Sequence, residues 1–281
     1  MTKLRERERE RDERAAPEKS SYFIYEGVDE NGEILNDGAK IDEFIARLKP
    51  NLLNHDENYP AGDFRSTECI ELLKQSDIVV TNPPFSLFRE YVAQLVEYKK
   101  KFLIIGNVNA ISYKEIFKYI KDNNLWLGIS ITSGDRKFGV PDNYPLNAAT
   151  CGIEKIEQNG KIIEQKFVRV KGVRWFTNLP HKKRNEILKT IYTFDPQKYP
   201  KYDNYDAINV DKTIEIPMDY EGAMGVPITF LDKYNPGQFE IIGQMVTTKI
   251  DEFNFGYPYI NGKKIYARIL IKNKMLKKEA K

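Results

Sequence analysis

Short apolar runs, separated by amphipathic stretches, dominate the first half of the chain. Ile78-Val79-Val80, Phe102-Leu103-Ile104-Ile105-Gly106 and Leu125-Trp126-Leu127-Gly128-Ile129 read as buried strands. Between them, Leu87, Phe88, Tyr91, Val92, Leu95 and Val96 recur at helical spacing and predict a helix from residue 86 to about 100. Tyr113, Ile116, Phe117 and Ile120 mark the next helix. Shorter helices are predicted over residues 41–48, closed by Pro50, and over about 66–75, with Ile70 and Leu73 facing inward. Near the start, Asn31-Gly32 between Tyr22-Phe23-Ile24-Tyr25 and Glu33-Ile34 predicts a hairpin or irregular loop. Strands alternating with helices at these intervals describe a βαβ series and a parallel sheet.

The pattern changes beyond about residue 130. Asn159-Gly160 and Lys171-Gly172 punctuate strand-like runs around Ile162, over 167–170 and over 173–176, which read as antiparallel hairpins. Residues 190–240, rich in Tyr, Asp, Asn and Pro, predict mostly loops. Asn261-Gly262 turns into residues 263–272, where Ile265, Ala267, Ile269 and Ile271 share one face. Three segments follow: a charged one over 1–20, an α/β core over 21–130 and a mixed α+β region over 131–281. The first contains an alternating Arg/Glu run that reads as a solvated helix or a disordered tail.

Composition narrows the function classes without choosing among them. A net charge of +3 is too small to imply nucleic acid, so any such contact must come from local patches. Two cysteines in unrelated contexts, Cys69 and Cys151, and two histidines argue against a metal site or a disulfide scaffold, and fit a reducing cytoplasm. No apolar run approaches the roughly 18 residues needed to span a membrane. The charged amino terminus does not read as a signal peptide.

Candidate chemistry begins where the first apolar strand ends. Asp77-Ile78-Val79-Val80-Thr81 runs straight into Asn82-Pro83-Pro84-Phe85. Two prolines fix their own φ, lack amide donors and extend the residue before them, so the segment is a stiff loop. At the carboxyl end of a strand, open α/β sheets bind ligands. The Asn82 side-chain oxygen and the Pro83 carbonyl can both accept from one amino group, while Phe85 offers a flat face to a planar ring. Such a loop suits an exocyclic amine whose lone pair attacks an electrophilic methyl. The plainer reading is a turn ending a strand. Gly62-Asp63-Phe64 lies about 20 residues earlier, by difference of position. Asp63 can accept from the adenine amino group of a cofactor and Phe64 can cover its ring. The same tripeptide also reads as a helix-entry turn.

With Arg65, Ser86-Leu87-Phe88-Arg89-Glu90-Tyr91 and Ile104-Ile105-Gly106-Asn107, these residues resemble the EcoRI-like adenine-specific DNA methyltransferases. So do residues 173–179, 202–209 and 224–231, and the resemblance covers about residues 60–272. It implies S-adenosyl-L-methionine as donor, adenine N6 in double-stranded DNA as acceptor, and a place in a restriction–modification system. It also implies a partial Rossmann-like class I methyltransferase sheet followed by a mixed α+β target-recognition region. Mapped onto this sequence, Asn82, Pro83, Pro84 and Phe85 match the catalytic loop, and Asp63 and Phe64 the cofactor-adenine motif. No metal is required.

One departure stands out. The methionine-binding segment of such enzymes sits on an early strand, and no strand-glycine-helix unit precedes residue 60. In the usual strand order, 3-2-1-4-5-7-6, the first two strands would lie beside the Asn-Pro-Pro strand, and their absence would leave apolar edges open. The expectation is an amino-terminally incomplete member: a fragment, a misplaced start or half of a split enzyme, either aggregation-prone or dependent on a complementing amino-terminal fragment. Lys182, Lys183 and Arg184, after His181, are candidates for phosphate contact or for a solvated helix start. Tyr202, Tyr205 and Tyr220 suit either a DNA cleft or loop packing. A methyltransferase for RNA bases or protein glutamine, and a non-catalytic DNA-binding fragment, remain as rival functions.

Overall fold

The computed structural model describes residues 19–29, 31–35, 37–129, 136–146, 149–158 and 160–276. Most of the charged 1–20 segment, and Asn159 of the expected turn, lie outside the described residues. The chain divides into two units, Met1–Asp77 and Ile78–Lys281.

In the first unit, β1 (Lys19–Tyr22) pairs antiparallel with β2 (Asn51–Asn54), and α1 (Gly38–Ile45) lies between them in sequence. The expected early turn forms. Asp29 Oδ1 accepts from the amides of Asn31 and Glu33, and Gly32 takes φ +80°. α2 (Thr67–Gln75) starts at Ser66, whose Oγ accepts from the Cys69 amide at 3.4 Å. Ile70 and Leu73 of α2 are half-buried, less enclosed than an inward-facing pair would be.

The second unit contains three principal sheets. β3 (Ile78–Thr81) and β4 (Lys101–Asn107) run parallel, joined through α3 (Phe88–Glu97). α4 (Lys114–Lys121) then leads to β5 (Trp126–Leu127), far shorter than the expected five-residue strand. Phe88, Val92 and Leu95 of α3 and Ile116, Phe117 and Ile120 of α4 are buried, as their spacing predicts. Each fully buried apolar side chain of this size contributes about 1.5–3 kcal/mol. The second sheet comprises β6 (Arg136–Gly139), β7 (Cys151–Gln158) and β8 (Lys161–Val170), antiparallel in the order β6-β8-β7. β9 (Val173–Thr177) then returns to the first sheet.

That first sheet has the order β3-β4-β9-β5. The strands of the expected βαβ series, β3, β4 and β5, share one direction, but β9 from beyond residue 130 lies antiparallel between β4 and β5, so the sheet is mixed. Among the described residues the other edge of β3 carries no strand, and Ile78 and Val80 are 48% and 66% exposed.

Residues 190–240 are mostly loop, as expected, but they also supply two short strands and the start of another to a third sheet. It consists of β10 (Ala207–Asn209), β11 (Ala223–Pro227), β12 (Phe239–Met245) and β15 (Arg268–Asn273), in the order β10-β11-β15-β12. Between β12 and β15, β13 (Tyr259–Ile260) and β14 (Lys263–Lys264) form the expected hairpin, with Asn261 and Gly262 both at positive φ. Ile269, Leu270 and Ile271 are all buried, so β15 is enclosed on both faces rather than one. Tyr202 is buried and donates to Asn209 Oδ1 at 2.9 Å, while Tyr205 packs on Phe255 and Tyr220 on Phe194. Loop packing, rather than a cleft, accounts for these three tyrosines.

Candidate active site

The Asn-Pro-Pro-Phe loop leaves the carboxyl-terminal end of β3. Pro83 is buried and anchors the loop, whereas Asn82 and Pro84 are exposed and the Phe85 ring is 41% exposed. No described peptide bond is cis. Pro84 O accepts from the Leu87 amide at 3.0 Å, closing a 3-10 turn over Phe85–Leu87 that feeds directly into α3. Among the described residues no hydrogen bond engages the Asn82 side chain, so its acceptor is unspent.

Two aromatic rings fix this loop to the sheet. Phe88, the first residue of α3, meets Phe176 of β9 edge to face at 5.0 Å between centroids. Gly106 makes that possible, since a Cβ there would stand 2.5 Å from Phe88 Cε2 and 2.9 Å from Phe176 Cε2. Sequence reasoning noted Gly106 only as part of a strand. Its requirement comes from a ring of β9, a contact that no local pattern reveals.

The turn after β4 lies on the same sheet edge. Asn107 Oδ1 accepts from the Asn109 amide at 2.9 Å, and the Val108 amide donates to Gly172 O at 2.6 Å. Arg89 stands over the Tyr113 ring at 5.4 Å and pairs with Glu115 at 3.7 Å.

In the first unit, the loop bearing Asp63 is braced from both sides. Asp56 accepts from the amides of Asn58, Tyr59 and Thr67. Gly62, at φ +81°, would bring a Cβ to 2.8 Å from Ser20 Oγ. Asp63 Oδ1 accepts from the Arg65 amide and from Arg65 Nε, both at 2.9 Å, and Oδ2 accepts from Arg65 Nη2 at 2.8 Å. Burial pushes the Asp63 carboxyl up, but the Arg65 bonds outweigh it and hold the pKa below the ordinary carboxylate value. A carboxylate offers about four lone-pair sites. Three are occupied here, so Oδ2 keeps one acceptor site open. The Arg65 guanidinium lies 4.6 Å from the Tyr59 ring and 5.4 Å from the Phe64 ring, so Phe64 belongs to a small cationic-aromatic cluster.

The basic run opens a 3-10 helix over Lys182–Asn185 capped by His181, so the helix-start alternative holds, although Arg184 is not solvated. Lys182, Lys183 and Arg184 follow the end of β9, where Thr177 pairs with Leu103 and Asn178 bonds to Lys100 O and the Phe102 amide. They therefore sit by the amino-terminal end of β4, opposite the edge that carries Asn82. Arg184 is buried. Its Nη2 donates to Asn123 Oδ1 at 2.7 Å and its guanidinium lies 3.9 Å from the Trp126 ring, so it is committed to the fold and not offered to phosphate. Burial lowers its pKa, though guanidinium remains charged. Lys182 is exposed and Lys183 half-buried, both at this opposite edge. His181 Nδ1 accepts from the Arg184 amide, which leaves Nε2–H to donate to Leu127 O. A cavity of about 260 Å³ beside His181 is lined by Leu103, Gly128, Trp175, Thr177 and Leu179, and includes none of the Asn82 loop.

Among the described residues no cluster of His, Cys, Asp and Glu could hold a metal ion, and no helix is long and apolar enough to cross a membrane.

Comparison with known proteins extends the resemblance to nearly the whole chain. The family model described as adenine-specific methyltransferase EcoRI matches residues 6–274, including residues 6–59, where no motif was recognised. The chain is 48% identical over 259 residues to Type II methyltransferase M.EcoRI of Escherichia coli, covering 91% of this chain and 72% of that protein. It is 39% identical over 268 residues to Type II methyltransferase M.MgeORF184P of Mycoplasma genitalium, with 90% and 78% covered. It is 41% identical over 226 residues to Type II methyltransferase M.MpnI of Mycoplasma pneumoniae, with 76% and 69% covered. No solved structure matches the chain.

Proposed function

The chain belongs to the adenine-specific methyltransferase EcoRI family, and from that membership we propose that it methylates adenine N6 in double-stranded DNA as the modification enzyme of a restriction–modification system. The observation that carries the chemistry is the loop after β3, which combines a buried Pro83, an unspent Asn82 acceptor and an exposed Phe85 ring. The order β3-β4-β9-β5, with β9 antiparallel, supports reading this sheet as the 4-5-7-6 half of a Rossmann-like class I methyltransferase sheet.

Adenine N6 is engaged in pairing inside a duplex, so the base is extruded at a cost of a few kcal/mol. Stacking on Phe85 returns about 1–3 kcal/mol. Asn82 Oδ1 and the Pro83 carbonyl accept the two N6 hydrogens and turn the nitrogen lone pair towards the donor side. Bound S-adenosyl-L-methionine supplies an electrophilic methyl, whose bond to sulfur breaks as the bond to N6 forms. The released N6 proton leaves to solvent. The rate gain is mainly orientation and electrostatic complementarity. The free acceptor site on Asp63 and the neighbouring Phe64 ring suit the donor's adenine. The open β3 edge suits a further strand, whose loop would hold the donor's methionine end, and a complementing segment is the proposed source.

The test offers labelled S-adenosyl-L-methionine with duplex DNA, RNA and a glutamine-bearing protein. Label is expected in DNA as N6-methyladenine, and Asn82→Ala should lower turnover about 100-fold or more at an unchanged thermal midpoint. Label in RNA or protein alone, or full turnover in the variant, would overturn the reading. Donor titration of the chain should show weak binding, strengthened when a segment pairing with β3 is added.

A further inference from the structure

The hairpin of β7 and β8 carries apolar side chains that no core uses. Ile162 is 75% exposed and Ile153 54% exposed, and Ile163 is exposed as well. Ile162 pairs with Glu157 and Ile163 with Ile156, within the last pairs before the turn. Successive strand residues point to opposite faces, so isoleucines project from both sides of the hairpin near its tip. The root is built differently. β6 pairs only with residues 167–170 of β8, adding a third strand there. Phe167 is buried under Lys137 Nζ at 4.5 Å and the Arg169 guanidinium at 5.6 Å. A Cβ at Gly152 would stand 2.8 Å from that ring. A braced root thus supports a slender apolar tip.

The root also has a defined place in the sheet. β8 leads through Gly172 into β9, whose first residue Val173 pairs with Asn107 at the carboxyl-terminal end of β4. The Asn82 loop leaves β3 at the same edge, on the other side of β4. With strands about 4.8 Å apart and Thr81 level with Ile104, three residues short of Asn107, the loop and the root are about 14 Å apart at that edge. A duplex that presents a base to Asn82 must lie along it. At about 3.3 Å per residue, β7 reaches about 26 Å from the root, enough to cross a major groove about 12 Å wide.

We infer that the β7–β8 hairpin is a DNA-contacting arm whose Ile162 enters the base stack as an apolar wedge beside the extruded adenine. The inference rests on the adenine-methyltransferase reading, because extrusion opens a gap in the stack that an isoleucine fills. Glu164 lies opposite Lys155 and Glu157 opposite Ile162, so the tip acts through shape more than through charge. Lys161, exposed at the turn, is the cation placed to meet a phosphate.

The test uses the full chain and its Ile162→Ala/Ile163→Ala variant, whose changes are at exposed positions. The substrate is a duplex oligonucleotide carrying the methylation site mapped in plasmid DNA from cells expressing the chain. kcat/KM on the paired duplex should fall about tenfold or more, and most of the loss should return when the target adenine faces an abasic site. Plasmid DNA should also slow hydrogen exchange at the amides of residues 160–164 in the unaltered chain. Unchanged kcat/KM, or an equal loss on both duplexes, overturns the wedge, and absence of protection overturns the arm. Protection without methyl transfer to any DNA, even with the complementing segment added, upholds the arm and refutes the methyltransferase reading instead.

Discussion

Gly106→Ala should disable the enzyme through the ring pair that holds the Asn82 loop. The added methyl would stand 2.5 Å from Phe88 Cε2, 2.7 Å from Phe88 Cζ and 2.9 Å from Phe176 Cε2. Both rings are buried and already meet edge to face, so neither swings aside freely. Overpacking of this kind costs about 1–3 kcal/mol. At about 2–4 °C per kcal/mol for a chain of this size, the thermal midpoint should drop by about 2–12 °C. The catalytic effect should be larger than that loss implies. Phe88 opens α3 three positions after Phe85, and a displacement of about 1 Å at a reacting group costs about a hundredfold in rate. Steady-state kinetics on duplex DNA should show a fall in kcat exceeding the rise in KM, and a melting curve should report the stability change. Phe88→Leu in the Gly106→Ala background should restore part of both by vacating the contested space. Wild-type kcat and midpoint in Gly106→Ala, or a defect that Phe88→Leu does not ease, would show that the ring pair does not position the loop.

Three further outcomes are expected. Phe85→Ala should raise KM for DNA by the loss of about 1–3 kcal/mol of stacking while leaving donor affinity intact; equal losses for DNA and donor would count against stacking on the target. Arg184→Ala should lower the thermal midpoint because it removes a hydrogen bond to Asn123 and the cation packed on the Trp126 face, whereas Lys182→Ala should leave the salt dependence of DNA binding unchanged; a slope reduced by about one would return Lys182 to the DNA interface. The pKa of Asp63 is lowered in the fold, so ionised Asp63 stabilises the chain above the ordinary value of 3.8 and that stability is lost as pH falls through the depressed pKa. Arg65→Gln should therefore move acid unfolding, followed by circular dichroism, to higher pH, and an unmoved midpoint would sink this account of the Asp63–Arg65 pair.

What was legible in the sequence was local. α3 and α4 follow from apolar residues at helical spacing, and all six of Phe88, Val92, Leu95, Ile116, Phe117 and Ile120 are buried. The stiff loop at Asn82 follows from two prolines after a β-branched strand. The sheet order did not follow, because β9 reaches its place beside β4 only after the whole β6–β8 excursion. Residues 190–240 are mostly loop, as their composition predicts, but β10 and β11 within them were not legible because they are only three and five residues long and lie between polar turns. Burial of Ile208, Val210 and Ile216 depends on partners elsewhere in the chain. Arg184 was misread for a related reason. A basic tripeptide suggests phosphate, but its partners Asn123 and Trp126 lie on an earlier turn and strand that composition cannot connect to it.

The two edges of the first sheet differ in how much hydrogen-bonding capacity the fold consumes, and that difference locates the chemistry. At the amino-terminal edge of β4, nearly every polar group is engaged within the protein. Asn178 bridges Lys100 O and the Phe102 amide, Thr177 Oγ1 donates to Phe102 O, and Trp126 Nε1 donates to Leu179 O. His181 and Arg184 extend the same closed network. A site so satisfied has nothing left to offer a substrate, and breaking it would cost stability rather than turnover. At the carboxyl-terminal edge the backbone is held by packing instead, through Pro83 and the Phe88–Phe176 pair. Rings and a proline ring hold the loop without using its acceptors. Asn82 therefore keeps its acceptor open on a loop held by packing, which is what the proposed grip on an amino group requires.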